Sequence, residues 1–135
     1  MRPPVQLLIV SSRTETQKGL LHILEGLPID AYTSPTMEGA WEVLMSQPID
    51  VIFCDERLPD GHYPDFLSAV RSEFRTARFI VILSSEDDGQ DYLHAMRLGA
   101  SDVLRVSYQP TDVELVLIRV GREAGPEQLH LPASA

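Results

Sequence analysis

The chain has 135 residues, enough for one domain with a self-sufficient core and too few for a second. Its composition is ordinary, 44% apolar and 23% charged, and no apolar stretch approaches the roughly 20 residues of a membrane span, so a soluble domain is expected. The net charge of -9 comes with no basic stripe interleaved with aromatics, which disfavours nucleic-acid binding because counterion release needs clustered Lys and Arg.

Met1-Arg2-Pro3-Pro4 leads into an apolar run without a signal segment, and the one cysteine, Cys54, falls inside a strand, so a reducing cytoplasm is the expected setting. Apolar runs predict strands at Gln6 to Val10, Ile29 to Tyr32, Val51 to Cys54, Phe79 to Leu83 and Val103 to Arg105. Between them Leu20, Ile23, Leu24 and Leu27 recur at helical spacing, then Met37, Ala40, Trp41 and Leu44, then Phe66, Leu67, Val70 and Phe74. A fourth helix runs from Gly89 to Leu98 and stops at Gly99, and a fifth spans Asp112 to Arg122. Ser12-x-x-Glu15 and Thr111-x-x-Glu114 read as capping boxes, and Ser34-Pro35 as a cap before a first-turn proline. Alternating strands and helices predict a parallel sheet covered on both faces. Residues 1–122 are expected to form the domain and 123–135, past Gly125-Pro126, a flexible tail.

Val51-Ile52-Phe53-Cys54-Asp55-Glu56-Arg57-Leu58-Pro59-Asp60-Gly61 is the most informative segment, because an apolar run ending in a carboxylate and a turn presents a reactive group at a strand's C-terminal end. It resembles the phosphoacceptor segment of response-regulator receiver domains. Phe79-Ile80-Val81-Ile82-Leu83-Ser84-Ser85 is similar to their fourth strand with its terminal hydroxyl, and Ala95-Met96-Arg97-Leu98-Gly99-Ala100-Ser101-Asp102 to the join between their fourth helix and fifth strand. The resemblance covers residues 5–122 and implies a flavodoxin-like (βα)5 fold with strand order 2-1-3-4-5 and a site at the strands' C-terminal ends. It also implies a role in bacterial two-component phosphorelay signalling, with Asp55 at the phosphoacceptor position and Ser84 placed to bind a phosphoryl oxygen. A typical member takes a phosphoryl group from a kinase phosphohistidine, with an Mg²⁺ held by acidic residues and a lysine neutralising the oxygens.

Here the acidic pair is replaced by Ser11 and Ser12, and the lysine position holds Val106. Hydroxyls are weak ligands for hard cations beside carboxylates, so Mg²⁺ binding is expected to be weak or absent, with Asp55 the one well-placed carboxylate and Glu56 pointing away. Ser12 also reads as the cap of the first helix, Ser84 as a cap of the loop that follows it, and Asp55 as a strand-end carboxylate held by backbone amides. Arg57 is the first candidate for a compensating cation, expected to reach toward Asp55 or Glu86 or to form a surface pair with Glu86. Arg13 and Arg105 are further cationic candidates. The Val106-Ser107 bond, where the family usually has a cis bond before proline, is expected trans because cis costs roughly 2.5 to 4 kcal/mol before a non-proline residue.

Glu86-Asp87-Asp88 reads as a helix-start cluster, Cys54 as a buried hydrophobe, and His22, His62, His94 and His130 show no metal-like spacing. Val103 stands at the position of the family's switch aromatic, which weakens the usual relay to the face of helix four, strand five and helix five. The expected function is an atypical receiver-like interaction module without enzymatic activity. Its expected partner is a protein, a sensor histidine kinase or downstream effector, or a second copy through that same face. A working phosphoacceptor with arginine compensation stays open as one alternative, and a small-ligand or nucleotide site as another. The absence of a glycine-rich loop after strand one counts against the nucleotide reading.

Overall fold

The computed structural model describes residues 3–84 and 89–124, with side chains to 120. Residues 125–135 of the expected tail and the Glu86-Asp87-Asp88 segment lie outside the described residues, while 123 and 124 continue the last helix. In chain order the elements are β1 (Val5–Val10), α1 (Thr14–Leu24), β2 (Ile29–Ser34), α2 (Met37–Ser46), β3 (Val51–Asp55), β4 (Arg57–Leu58), β5 (Gly61–His62), α3 (Tyr63–Glu73), β6 (Arg78–Leu83), α4 (Gln90–Leu98), β7 (Asp102–Arg105) and α5 (Pro110–Ala124). The main sheet is parallel, ordered β2-β1-β3-β6-β7, and β4 and β5 form a separate antiparallel hairpin. With the hairpin set aside, this is the expected order 2-1-3-4-5.

The inner strands β1, β3 and β6 are apolar except at Gln6, Asp55 and Arg78 near their ends, because both of their faces are covered. Side chains alternate: Leu8, Ile52, Cys54, Phe79, Val81 and Val103 join Leu44, Leu67, Val70 and Ala95 on one face, under α2, α3 and α4. Leu7, Ile9, Phe53, Ile80, Ile82 and Leu104 meet Leu20, Leu24, Val113 and Leu117 on the other, under α1 and α5. Trp41, on the apolar stripe of α2, is partly buried and packs edge-on against Phe66 and Phe74. Each fully buried Leu, Ile or Phe contributes about 1.5 to 3 kcal/mol relative to an exposed one, so these two layers supply the main driving force.

Three helix starts differ from the sequence reading. Ser12 is not the cap of α1: Arg13 holds that position and no side chain caps it. At α2 the cap is Thr36, whose hydroxyl accepts from Gly39 N–H, while Ser34 ends β2. Asp60, at the tip of the hairpin, adds a cap from outside the helix, its two oxygens accepting from Met37 and Glu38 N–H at 3.0 Å each. At α5 the helix opens at Pro110, and Asp112 reaches back to Gln109 N–H at 2.7 Å, so Thr111 lies inside the first turn. The C-terminus of α4 follows expectation, Gly99 taking a left-handed φ of 105° and its carbonyl accepting from Arg71 Nη1 at 2.6 Å.

Candidate functional site

β1, β3, β6 and β7 end along one edge of the sheet, and the loops leaving them converge there. Because Phe53 faces the α1/α5 layer, alternation turns Asp55 toward that side as well, where the loops entering α1 and α5 start. Asp55 is only 3% exposed, so its carboxylate has to find donors within the protein. Ser11 Oγ, fully buried, donates to Asp55 Oδ2 at 2.5 Å. Arg13 supplies a two-pronged contact, Nη2 to Oδ1 at 3.1 Å and Nε to Oδ2 at 3.4 Å. The loop that carries these donors is itself fixed. Arg13 N–H donates to Ser11 Oγ at 3.2 Å, and Gln17 Nε2 donates to the Ser11 carbonyl.

In front of this cluster lies a pocket of about 210 Å³ whose walls include Arg13, Glu56, Arg57, Ser84 and Val106. The sequence-predicted positions Asp55, Arg57, Ser84 and Val106 therefore come together, with Ser11 directly behind Asp55. Ser12 is exposed and stands apart from the contacts to Asp55, and Val103 is buried in β7 in the core under α4. Arg57, the first cationic candidate, is exposed and has no ion pair with Asp55; Arg13 takes that role. Glu86, its other expected partner, lies outside the described residues. Glu56 does not point away: its Oε1 accepts from Ser84 N–H at 3.1 Å, along the pocket wall. The sequence reading named Arg13 without a partner; what singles it out is that its loop leaves the same sheet edge as Asp55.

Tyr108, in the loop before α5, packs against the core layer under α1 and α5. The described peptide bonds are all trans, Val106-Ser107 among them, and Ser107 adopts a left-handed φ of 72° ahead of Tyr108. Burial pushes the Tyr108 hydroxyl above its usual pKa, the Asp55 charge adds to this and Arg13 opposes it. The Cys54 thiol is raised well above its usual value by burial, then by Asp55 and Asp60, so it is a protonated hydrophobe.

The metal that the receiver resemblance implies does not fit these residues. Ser11 points its hydrogen at Asp55 and accepts from Arg13 N–H, both Asp55 oxygens already face donors, and the Glu56 carboxylate is engaged on Ser84. Mg²⁺ demands near-octahedral oxygen ligands, and a guanidinium stands where it would meet Asp55. Among the described residues no three His, Cys, Asp or Glu side chains are grouped to hold a metal.

A second surface spans α4, β7 and α5. A cavity of about 310 Å³ there is lined by Tyr92, Val103, Arg105, Val106, Tyr108 and Arg119 among others, and Arg119 Nε pairs with the buried Asp102 at 3.2 Å. Leu93 on α4 and Leu115 on α5 are 51% and 53% exposed, and Tyr92 and Leu98 on α4 are exposed as well.

The model of the response regulator receiver domain family matches residues 7–117. No curated protein sequence matches the chain. Among solved structures, the chain is similar to the signal receiver domain of an HD domain-containing protein from Pseudomonas fluorescens Pf-5, at TM-score 0.84 and 18% identity over 97% of this chain and 96% of that one. It is similar to the chemotaxis response regulator CheY4 of Vibrio cholerae at TM-score 0.78 and 20% identity over 87% and 98%. A sensor protein from Polaromonas sp. JS666 matches at TM-score 0.79 and 21% identity, over 91% and 100%. At these identities the structural likeness carries the fold. No described helix is long and apolar enough to cross a membrane.

Proposed function

The chain belongs to the response regulator receiver domain family, and on that premise we propose that it is an atypical receiver of two-component signalling that works as a protein-interaction module without being phosphorylated. One observation carries this reading: the Asp55 carboxylate is buried under Arg13 and Ser11, its two oxygens each engaged by a donor. Phosphoryl transfer is catalysed mainly by positioning and charge neutralisation, and a nucleophile whose lone pairs are held by a guanidinium and a hydroxyl is poorly poised to attack. Val106 adds no charge toward a phosphoryl group, and Val103 gives no aromatic to move toward Ser84.

The binding face is that of α4, β7 and α5, where Tyr92, Leu93 and Leu115 are exposed, and its occupant is a protein partner or a second copy of the chain. The setting is the cytoplasm, as for a partner of a sensor kinase or effector. A nucleotide reading is disfavoured, since the pocket of about 210 Å³ falls below the roughly 300 to 1,000 Å³ of typical small-molecule sites. The arginine-compensated phosphoacceptor has support in the same Arg13 contact, so phosphodonor experiments must separate the two. Amide spectra and sedimentation velocity with and without acetyl phosphate and Mg²⁺ provide one test. The association state and the α4, β7 and α5 resonances are expected to stay unchanged, and Leu93→Asp to weaken whatever association wild type shows. A donor-dependent shift across that face would overturn the proposal.

A further inference from the structure

We infer that Arg13 is the site's own cation: its guanidinium, tethered beside Ser11, takes on Asp55 the place of a divalent metal, so that the site excludes Mg²⁺. This deepens the proposed function and rests on that reading of Asp55. It also goes beyond the loss of acidic ligands, because it assigns the exclusion to a residue that is present.

The geometry supports substitution rather than simple vacancy. Arg13 reaches both Asp55 oxygens with two different nitrogens, the fork geometry that suits a guanidinium to a carboxylate. Its backbone is held at the site through Ser11 Oγ, and Ser11 is held through Gln17 and Asp55, so little chain entropy is lost in keeping the cation in place. A free dication would have to displace a contact that is already intramolecular, and would then sit beside a like charge. Arg13 is nevertheless 52% exposed, so the side chain is not walled in and its removal opens the carboxylate to solvent. Exclusion therefore rests on charge and hydrogen bonding at one residue, which makes it reversible by substitution. Glu56, whose Oε1 stays on Ser84 N–H, is the second carboxylate on the pocket wall.

The experiment is a Mg²⁺ titration of the whole chain, followed by backbone amide shifts and by calorimetry, on wild type, Arg13→Lys, Arg13→Gln and Arg13→Gln with Asp55→Asn. Wild type and Arg13→Lys should show no saturable binding at the site. Arg13→Gln should gain it, with affinity at least about tenfold above wild type, and should lose it again when Asp55 is also replaced. A folding failure of Arg13→Gln is covered by a measurement on wild type, the Arg13 Nε–H resonance, which should be shifted and protected by its contact and should move in Asp55→Asn. Saturable Mg²⁺ binding by wild type, equal gains by the Lys and Gln variants, no gain in folded Arg13→Gln, or an Arg13 Nε–H with free-arginine shift and exchange would each overturn the inference. Phosphorylation of wild-type Asp55 without Mg²⁺ would overturn the interaction-only function and leave this inference standing, so the two fail separately.

Discussion

Truncating Arg13 to Ala tests how much the Asp55 cluster contributes to stability. At a charge separation near 4 Å and an effective dielectric near 20, the pair attracts by about 4 kcal/mol before screening and ordering costs. Arg13 is half in solvent, which reduces that figure, whereas Asp55, with a side chain 5% exposed, would keep only the Ser11 hydroxyl as a side-chain donor among the described residues. An underserved buried acceptor costs about 1 to 3 kcal/mol, and that is the expected destabilisation of Arg13→Ala. Urea unfolding followed by Trp41 fluorescence measures it as a fall in midpoint at constant slope. A double-mutant cycle with Asp55→Asn should give a coupling of at least about 0.5 kcal/mol, the range found for residues in direct contact. Arg13→Ala within about 0.5 kcal/mol of wild type, with no coupling to Asp55, would place the contact among inert surface pairs and refute the reasoning.

Two further outcomes follow from other contacts. Backbone donors from Met37 and Glu38 hold the Asp60 carboxyl below its ordinary pKa, so its stabilising contribution is fully present above the unfolded value of about 3.9 and is lost as pH falls through the depressed folded value. Asp60→Ala should cost about 0.5 to 2 kcal/mol at neutral pH, as loss of a helix cap does, and should flatten the acid limb of a stability-against-pH curve; an unchanged limb would contradict the capping role. Cys54, fully buried with a raised thiol, should resist a thiol reagent in the native protein and react at once in urea, and rapid native labelling would contradict its placement.

The main sheet was legible because its inner strands, covered on both faces, are almost continuously apolar, and each of the five predicted strands lies within one or two residues of its place. The hairpin β4-β5 was not, since two-residue strands with Arg57 and His62 in them carry no period. Ser12 and Ser34 matched capping patterns that the chain does not use, because pattern alone does not fix which residue leaves the helical conformation. Asp55 itself was readable from its strand end. Its partner was not: Arg57 is two residues away but sits on the hairpin, while Arg13 is 42 residues away and arrives through the convergence of two loops at one sheet edge. Local sequence favours the nearer arginine, and topology selects the farther one.

The most direct measurement is the intact mass of the protein after incubation with acetyl phosphate, with and without Mg²⁺, for wild type and Asp55→Asn. A guanidinium-held, metal-free carboxylate predicts no phosphoryl adduct on wild type in either condition, and a spectrum matching that of Asp55→Asn. A wild-type adduct that Asp55→Asn abolishes would contradict the account.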